Sequence, residues 1–383
     1  MTSLNPSDIL QNPNEHLNKY YKQDYNYSIE LIRCVILLLI TVCSIYTFID
    51  LHDFKSRIRM TGSISFFIMG FIKYTSLLIK KTYTKSGIDL IKMDWKNVRY
   101  NEDRQIMLDY ATFGRRLIII SALFMFGGSS MYRFIVPIST KIVADNITYR
   151  RLVYPIPSIM FDARQSPINE LMIVIQGSLG MVVNTITVGA CGIAAVFVMH
   201  ICGQLEVLIT WLKYLIDGRV NQNENIKERL AEIVKKHVQL LSFISLTENL
   251  LNEISIVEVF GCTLNMCLLG YYTLLDGISD PLRTMAWFTL LISFGFNIFI
   301  FCYIGELLTE QCRKVGEASY MINWYRLPGK EGLALKLIIS MAASSGRFSA
   351  GKFIELSLSS FGDVIKASVT YLNMLRTVIS RLS

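Results

Sequence analysis

The C-terminal stretch KFIELSLSSFGDVIKASVTYLNMLRTVIS, residues 352–380, decides the fold. At about 100° per residue, its polar positions step by three or four and fall on one line, here called the polar stripe. The polar stripe consists of Lys352, Glu355, Ser359, Asp363, Lys366, Thr370, Asn373 and Thr377. The opposite side carries Phe361, Val364, Leu372, Leu375 and Ile379. The pattern predicts a helix of membrane length from Lys352 to Ser380 with one polar face.

Charged residues in the middle of this stretch restrict what the polar stripe contacts. Asp363 and Lys366 are costly in hydrocarbon, so such groups normally face a protein interior or a water-filled cavity. Two interpretations stay open at this point. The stretch lines a pore, or it forms a polar seam packed against other helices of the same subunit.

The overall composition is that of a membrane protein. The chain has 383 residues, of which 52% are hydrophobic and 18% charged, and its mean hydropathy is +0.40. A soluble domain cannot bury so much apolar surface, so we predict an all-α membrane protein that crosses the lipid bilayer several times. The net charge of +8 is dispersed through the connections between apolar spans, which excludes a nucleic-acid-binding surface.

Signatures of chemistry are missing from the sequence. The eight cysteines lie within or beside apolar spans, which indicates no disulfide framework, and the pair Cys262 and Cys267 has no nearby histidine that would complete a metal site. The four histidines are scattered, and neither HExxH nor GxSxG occurs. The sequence therefore predicts no catalytic residues, no metal and no cofactor, and the protein is not expected to be an enzyme.

Seven stretches of membrane-crossing length can be marked. They cover about 29–49, 60–79, 117–138, 171–201, 254–275, 285–308 and the C-terminal stretch. The N-terminal segment lacks the pattern of a cleavable signal peptide, so the first span is expected to remain as an anchor. The sequence predicts seven transmembrane helices.

The distribution of basic residues predicts the orientation. The connections after the second, fourth and sixth spans hold more than twice as many Lys and Arg as the remaining connections and the tail. Basic residues favour the cytoplasm, so the N-terminus is predicted inside and the C-terminus outside. This orientation exposes the sequon Asn146-Ile147-Thr148 outside, which makes Asn146 a candidate glycosylation site. In the same loop, the prolines of 154–157 predict an ordered lid.

These features divide the chain into six regions. They are a cytoplasmic N-terminal segment (1–28), helices one to four (29–201) with an outer loop (139–168), a cytoplasmic helical extension (202–251), helices five and six (252–308), a cytoplasmic anchor segment (309–350), and the pore-lining helix with an extracellular tail (351–383). Helical spacing over 225–251 and the apolar run 332–340 predict helices in a packed cytoplasmic domain. This domain serves subunit assembly, or its helices pack only on their own subunit or on the membrane surface.

The outer halves of spans two to six contain aromatic, methionine and small residues that suit an apolar cavity for a small organic ligand. The candidate ligand-binding residues are Phe67, Phe71, Gly128, Met131, Tyr132, Met181, Thr185, Met266, Tyr271 and Tyr272, with Trp287 at the same depth. The alternative for each of them is ordinary helix packing.

The last third of the chain resembles the insect odorant receptors. The resemblance is carried by Gly305-Glu306-Leu307, Ala318-Ser319-Tyr320 with Trp324-Tyr325, Ser349-Ala350-Gly351-Lys352, Leu356-Ser357-Leu358 before Phe361, and Ser368-Val369-Thr370-Tyr371-Leu372. It implies an odorant-gated, poorly selective cation channel in the plasma membrane of a sensory neuron, built from four subunits around one pore. It also implies a seventh helix split into a cytoplasmic part, about 332–345, and a pore-lining part, about 352–380.

The same resemblance assigns the pore. The implied pore residues are Ser359, Asp363, Lys366, Thr370, Asn373, Met374, Thr377 and Val378, with the hydrophobic gate at Met374. The shared co-receptor of the family commonly has Val at the gate, so Met374 is a departure. The co-receptor also has a much longer connection between spans four and five, which implies that this chain is an odorant-specific subunit and that its partner is the co-receptor.

Other receptor classes remain as alternatives. A gustatory-type channel shares the topology. A G-protein-coupled receptor also has seven helices, but here no Asp-Arg-Tyr follows the third span and no Asn-Pro-x-x-Tyr lies in the seventh. The predicted cytoplasmic N-terminus is a further difference from that class.

Overall fold

The computed structural model describes residues 34–50, 54–144, 147–150, 152–153, 165–219, 225–276, 281–327, 331–344 and 348–382. Three predictions lie outside these residues: the N-terminal segment, the glycosylation site Asn146, and the proline-containing lid at 154–157.

The described chain is almost entirely helical, which confirms the predicted all-α class. Its helices are α1 Cys34–Asp50, α2 Phe54–Ile79, α3 Lys81–Lys96, α4 Asn101–Ser130, α5 Val136–Ser139, α6 Ile168–Lys213, α7 Ile226–Asp276, α8 Pro281–Met321, α9 Gly332–Ser344 and α10 Leu358–Leu382. A π-helical turn, Met131–Ile135, joins α4 to α5, and a 3-10 turn, Trp324–Arg326, follows α8. Two antiparallel hairpins complete the described chain: β1 Lys141–Ala144 with β2 Ile147–Arg150, and β3 Ser349–Ala350 with β4 Ile354–Glu355.

Within the described residues, five segments are long and apolar enough to cross a bilayer. They are Met60–Ile79, Asn101–Ser139, Ile168–Lys213, Ile226–Leu274 and Pro281–Met321. The described part of the first predicted span, Cys34–Asp50, is a shorter apolar helix. Helix α10 does not belong to this set, because the polar stripe lowers its mean hydropathy. Several apolar helices thus cross the membrane, whereas the count of seven and the cytoplasmic N-terminus stay predictions.

The helices continue well beyond the predicted spans. The amphipathic segment 225–251 and the fifth span 254–275 were marked as two elements, and in the structure both belong to α7, one helix of 51 residues. The assignment of the six regions to the membrane and the cytoplasm stays a prediction. Likewise α6 extends to Lys213 and α8 to Met321. The extensions persist because their inward faces stay apolar and buried, as Leu208 and Phe243 illustrate. These extensions, together with α3 and α9, form what is here called the anchor end of the bundle. The opposite end, next to β1 and β2, is called the hairpin end.

Helix α6 runs through the centre of the bundle. It packs against α2, α4, α7 and α8, whereas α10 lies on the side of the bundle against α7 and α8. Small residues on α6, such as Ala190, Ala194 and Ala195, are completely buried. Small side chains let neighbouring helices approach closely, which gives the tight contacts that drive helix association in lipid.

A buried ion pair joins α2 to α7 inside the bundle. Lys73 and Glu258 form this pair, and both side chains are 0% exposed. The Cys262 thiol donates to the second carboxylate oxygen of Glu258 at 3.2 Å, and Lys73 Nζ lies 3.4 Å from the Thr187 hydroxyl of α6. Charges this deep are tolerated only when paired and hydrogen-bonded, so the pair fixes the register between α2 and α7.

Polar networks hold the anchor end together. The Asp94 carboxylate of α3 accepts from Lys236 at 2.7 Å, His200 at 3.0 Å and Gln239 at 3.3 Å, which links α3 to α6 and α7. Burial alone would raise the pKa of the Asp94 carboxyl, but the hydrogen bond to His200 and the charge of Lys236 more than offset burial. The pKa of Asp94 therefore lies below its ordinary value of 3.8.

Neutralising one partner of the buried Lys73–Glu258 pair is expected to destabilise the bundle. In Glu258→Gln the Lys73 ammonium stays buried without a carboxylate, a loss of about 3–5 kcal/mol. We expect a lower melting temperature of the purified receptor in detergent. Arg313→Gln, which removes two exposed ion pairs with Glu310 and Glu317, serves as the control and should melt like the wild type. An unchanged melting temperature for Glu258→Gln would contradict a structural role of the pair.

Stability is also expected to depend on the charge of Asp94. A carboxyl group whose pKa is lowered on folding stabilises the protein above its unfolded pKa, near 3.8, and loses this contribution as the pH falls through its folded pKa. Asp94→Asn should therefore melt below the wild type at neutral pH, and the difference should shrink in acid below pH 3.8. Asp89→Asn on the exposed side of α3 is the matched control. A difference that is independent of pH would refute this charge effect.

Candidate ligand cavity and candidate pore face

A cavity of about 60 Å³ lies between α2, α4, α6, α7 and α8 at the hairpin end. Its wall combines apolar and polar side chains. The lining residues are Gly62, Ser63, Phe66, Met125, Ser129, Tyr132, Arg133, Asn184, Asn265, Leu268, Leu269, Tyr272, Leu290, Ser293 and Phe294. Sites for drug-sized ligands enclose about 300–1,000 Å³, so an odorant needs side-chain movement to enter fully.

The structure brings two of the ten predicted ligand-binding residues to the cavity wall, Tyr132 and Tyr272. The other eight lie outside the wall. Of these, Phe67, Gly128, Met266 and Tyr271 are buried, Phe71, Met131 and Met181 are half-buried, and Thr185 is exposed. Trp287 is also outside the wall, with its ring 5.7 Å from that of Tyr272.

Sequence reasoning missed most of the polar wall. Asn184, Asn265 and Arg133 stand in otherwise apolar segments, and polar side chains inside a membrane span are themselves a signal of function. The prediction looked instead for aromatic and methionine residues at a common depth. Depth along the membrane does not tell which side of a helix faces inward.

Several polar groups of the wall are held by hydrogen bonds within the bundle. Asn265 donates to the Gly261 carbonyl at 2.8 Å and to the Ser65 hydroxyl at 3.0 Å. The Tyr272 hydroxyl donates to the Ile58 carbonyl at 2.6 Å, and the Ser293 hydroxyl makes a 2.7 Å contact with the Phe124 carbonyl. These bonds orient the side chains and fix the shape of the cavity.

The π-helical turn brings Arg133 into the bundle. Its guanidinium lies directly against the backbone of Gly180 on α6, where any Cβ would collide with it, and 5.2 Å from the centre of the Phe66 ring. One turn away, the ring of Phe134 occupies the space above Gly177 in the same way. The two glycines thus form a groove on α6 that admits both side chains. A π-turn inserts an extra residue into a helix and is frequent at functional sites.

Helix α10 packs mainly through its apolar face. Val364 and Ile379 are buried, Leu372 packs against Gly270 of α7, and the ring of Phe361 lies 5.5 Å from that of Phe299 on α8. All eight predicted pore residues are exposed in the single chain: Ser359, Asp363, Lys366, Thr370, Asn373, Met374, Thr377 and Val378. The stripe is therefore not a seam within this subunit's own bundle. Its role in a pore stays a prediction.

The start of this helix differs from the prediction. Lys352 and Glu355 were expected in the helix, but it begins at Leu358, and Glu355 belongs to β4. Gly351 and Lys352 both have φ of +63°, which forms the turn of the β3–β4 hairpin and prevents a helix there. The Ser357 hydroxyl then accepts from the backbone N–H of Ser360 at 3.2 Å, as a helix N-cap does. The predicted split of the seventh helix corresponds to α9 and α10 on either side of this hairpin.

Comparisons with known proteins agree with this architecture. The family model described as 7tm Odorant receptor matches residues 53–369. Odorant receptor 10 of Aedes albopictus is 23% identical over 91% of this chain and 92% of its own length. Odorant receptor 13a of Drosophila melanogaster is 25% identical over 60% of this chain and 57% of its own length. The odorant receptor coreceptor of Ooceraea biroi is 24% identical over 40% of this chain, and the match spans only 32% of the coreceptor.

Solved structures share the fold. The insect olfactory receptor OR5 from Machilis hrabei in complex with eugenol superposes with a TM-score of 0.80 at 16% identity, over 96% of this chain and 92% of OR5. A second structure of OR5 gives a TM-score of 0.74 at 14% identity. Because the family model covers most of the sequence, the chain belongs to the 7tm odorant receptor family, a family of multi-pass membrane receptors and not of enzymes.

Proposed function

We propose that this chain is an odorant-specific subunit of an odorant-gated, non-selective cation channel. It assembles with the shared odorant co-receptor in the plasma membrane of a sensory neuron. Seven helices cross the membrane with the N-terminus inside, which leaves Asn146 outside for glycosylation. The resemblance to the family and the short connection between α6 and α7 support the odorant-specific role.

The exposed polar stripe of α10 is the observation that carries this proposal. Asp363 and Lys366 stand one turn apart with 3.5 Å between their charged atoms, and their side chains are 70% and 80% exposed. In lipid such groups are costly, so they need water or another subunit beside them. Helix α10 has 25 residues, or about 37 Å, enough to cross the hydrocarbon core. A water-filled passage shared between subunits satisfies both requirements.

The chemistry of the stripe favours a gate and poor selectivity. The opposite charges of Asp363 and Lys366 balance each other, so the passage has no strong preference among cations. Met374 is 65% exposed among polar neighbours and supplies an apolar constriction near the hairpin end. Thr377 and Val378 stand on the next turn.

Helix α7 connects the cavity to the proposed pore. Asn265, Leu268 and Leu269 on one side of α7 line the cavity. On the other side, Gly270 contacts Leu372 of α10, and the Thr263 carbonyl lies 3.3 Å from the Ser368 hydroxyl. A ligand that widens the cavity moves α7 and thereby the surface on which α10 rests. Binding drives opening only as far as the ligand prefers the open packing over the closed one.

Recording odorant-evoked current tests the proposed function. Cells expressing this chain together with the co-receptor are exposed to a chemically broad odorant panel, and each partner is expressed alone as the control. We expect inward cation current with at least one small organic compound, and only when both partners are present. Responses to the same compounds from the co-receptor alone would contradict the proposal.

Met374 is expected to control the gate. In Met374→Ala the constriction loses most of its side chain, so ligand-independent current should rise or the reversal potential should shift. Met285→Ala is the matched control, because Met285 is 60% exposed on α8 and lies away from the stripe. If Met374→Ala behaves as the wild type does in both measurements, Met374 does not form the gate.

A further inference from the structure

One polar group of the cavity wall has no partner in the described part of the chain. Ser129 is 2% exposed, lines the cavity, and its hydroxyl makes no hydrogen bond with any described residue. Ser293 on the facing helix differs, since its hydroxyl lies 2.8 Å from the Thr289 carbonyl in its own helix. A buried hydroxyl without a partner is unfavourable, so an oxygen or nitrogen atom of a bound molecule at this position would stabilise the site.

Arg133 stands one turn from Ser129 on the same wall. Its side chain is 8% exposed and reaches the cavity, with Phe66 and the Gly180 backbone holding the guanidinium in place. A guanidinium carries five N–H donors in a planar fork and has no acceptor. It therefore attracts oxygen acceptors, and a carboxylate most strongly because two parallel bonds form.

Part of the remaining wall is apolar. Met125, Leu268, Leu290 and Phe294 supply this apolar surface. At about 60 Å³ the cavity holds only part of an odorant-sized molecule without rearrangement. The bound compound thus has one polar end near Ser129 and Arg133 and an apolar body among the aliphatic and aromatic residues.

We propose that this cavity selects compounds with a hydrogen-bond-accepting oxygen, a carbonyl or a carboxylate, which accepts from Arg133 and Ser129. This inference rests on the proposed function in that the compound is the odorant that opens the channel. It specifies the ligand class through Ser129 and through Arg133, which the π-turn brings into the bundle.

A matched series of compounds tests the ligand class. Cells expressing the chain with the co-receptor receive a carboxylic acid, an aldehyde, a methyl ketone and a hydrocarbon of equal chain length. The oxygen compounds should act at concentrations at least about tenfold lower than the hydrocarbon. Greater potency of the acid identifies a carboxylate ligand, and greater potency of the aldehyde or ketone identifies a carbonyl ligand. Equal potency of the hydrocarbon overturns the inference.

A second measurement separates this inference from the proposed function. The purified receptor is heated in detergent with each compound, and the shift in melting temperature reports binding without any channel. Stabilisation by the oxygen compounds but no current in cells supports the ligand class and refutes the channel. Current and stabilisation from the hydrocarbon alone support the channel and refute the ligand class.

Variants assign the selectivity to the two side chains. Arg133→Gln should raise the half-maximal concentration of the oxygen compounds about tenfold and leave that of the hydrocarbon unchanged. Arg283→Gln, another arginine at the hairpin end that lies beside Trp287, is the control. Ser129→Ala should weaken the same compounds, with Ser178→Ala, whose hydroxyl donates to its own helix, as the control.

Two further variants keep the test decisive if Arg133→Gln does not reach the cell surface. Arg133→Lys retains the charge and loses the fork, so the acid should weaken more than the ketone. Gly180→Ala leaves Arg133 in the chain but adds a Cβ where the guanidinium lies, and it should reduce the same selectivity. Unchanged selectivity in both variants, at normal surface levels, overturns the role of Arg133.

Discussion

The architecture depends on the fact that two charges lie inside an apolar bundle and have to meet. Lys73 and Glu258 satisfy each other, and Thr187 and Cys262 contribute polar contacts from either side. The pairing continues toward the anchor end, where the Ser76 hydroxyl donates to Glu253 at 2.7 Å. Because an unpaired charge at this depth is so unfavourable, α2 and α7 cannot slide past each other. Through the contact with Thr187, the pair also positions α6 relative to these two helices.

Long uninterrupted helices connect the cavity region to the anchor end. At the hairpin end, α7 lines part of the cavity and contacts α10. At the anchor end, its residue Lys236 donates to Asp94 of α3. These regions belong to one continuous helix, which runs without a break from Ile226 to Asp276. In the proposed mechanism, a displacement of α7 at the cavity would be transmitted along this helix. The contacts of α3, α6 and α7 at the anchor end would oppose that displacement.

Features that follow the helical period could be predicted from the sequence. Features that depend on a single contact could not. The helical period predicted the two faces of α10, and Phe361 and Val364 do pack inward while Asp363 stays exposed. The helix start was predicted too early, because the left-handed turn at Gly351 and Lys352 has no periodic signal. Segments 225–251 and 254–275 were marked separately because the first one contains charged residues. A helix that leaves the membrane can nevertheless continue without a break.

The cavity was the hardest part to predict for a physical reason. Its wall is shaped by the π-turn, a local helix irregularity with no periodic signal in the sequence, and by the glycine groove on α6, which is a tertiary contact. In the sequence, Arg133 is a basic residue near the end of a span. Its contact with Gly180 shows that the side chain points into the bundle.

That contact also couples positions 133 and 180. The guanidinium fills the volume in which a Cβ at position 180 would stand. Once a short residue replaces that arginine, position 180 is released from this constraint and the vacated volume passes to the chamber beside it. Two substitutions would thus convert the charged end of the chamber into a larger and more apolar compartment.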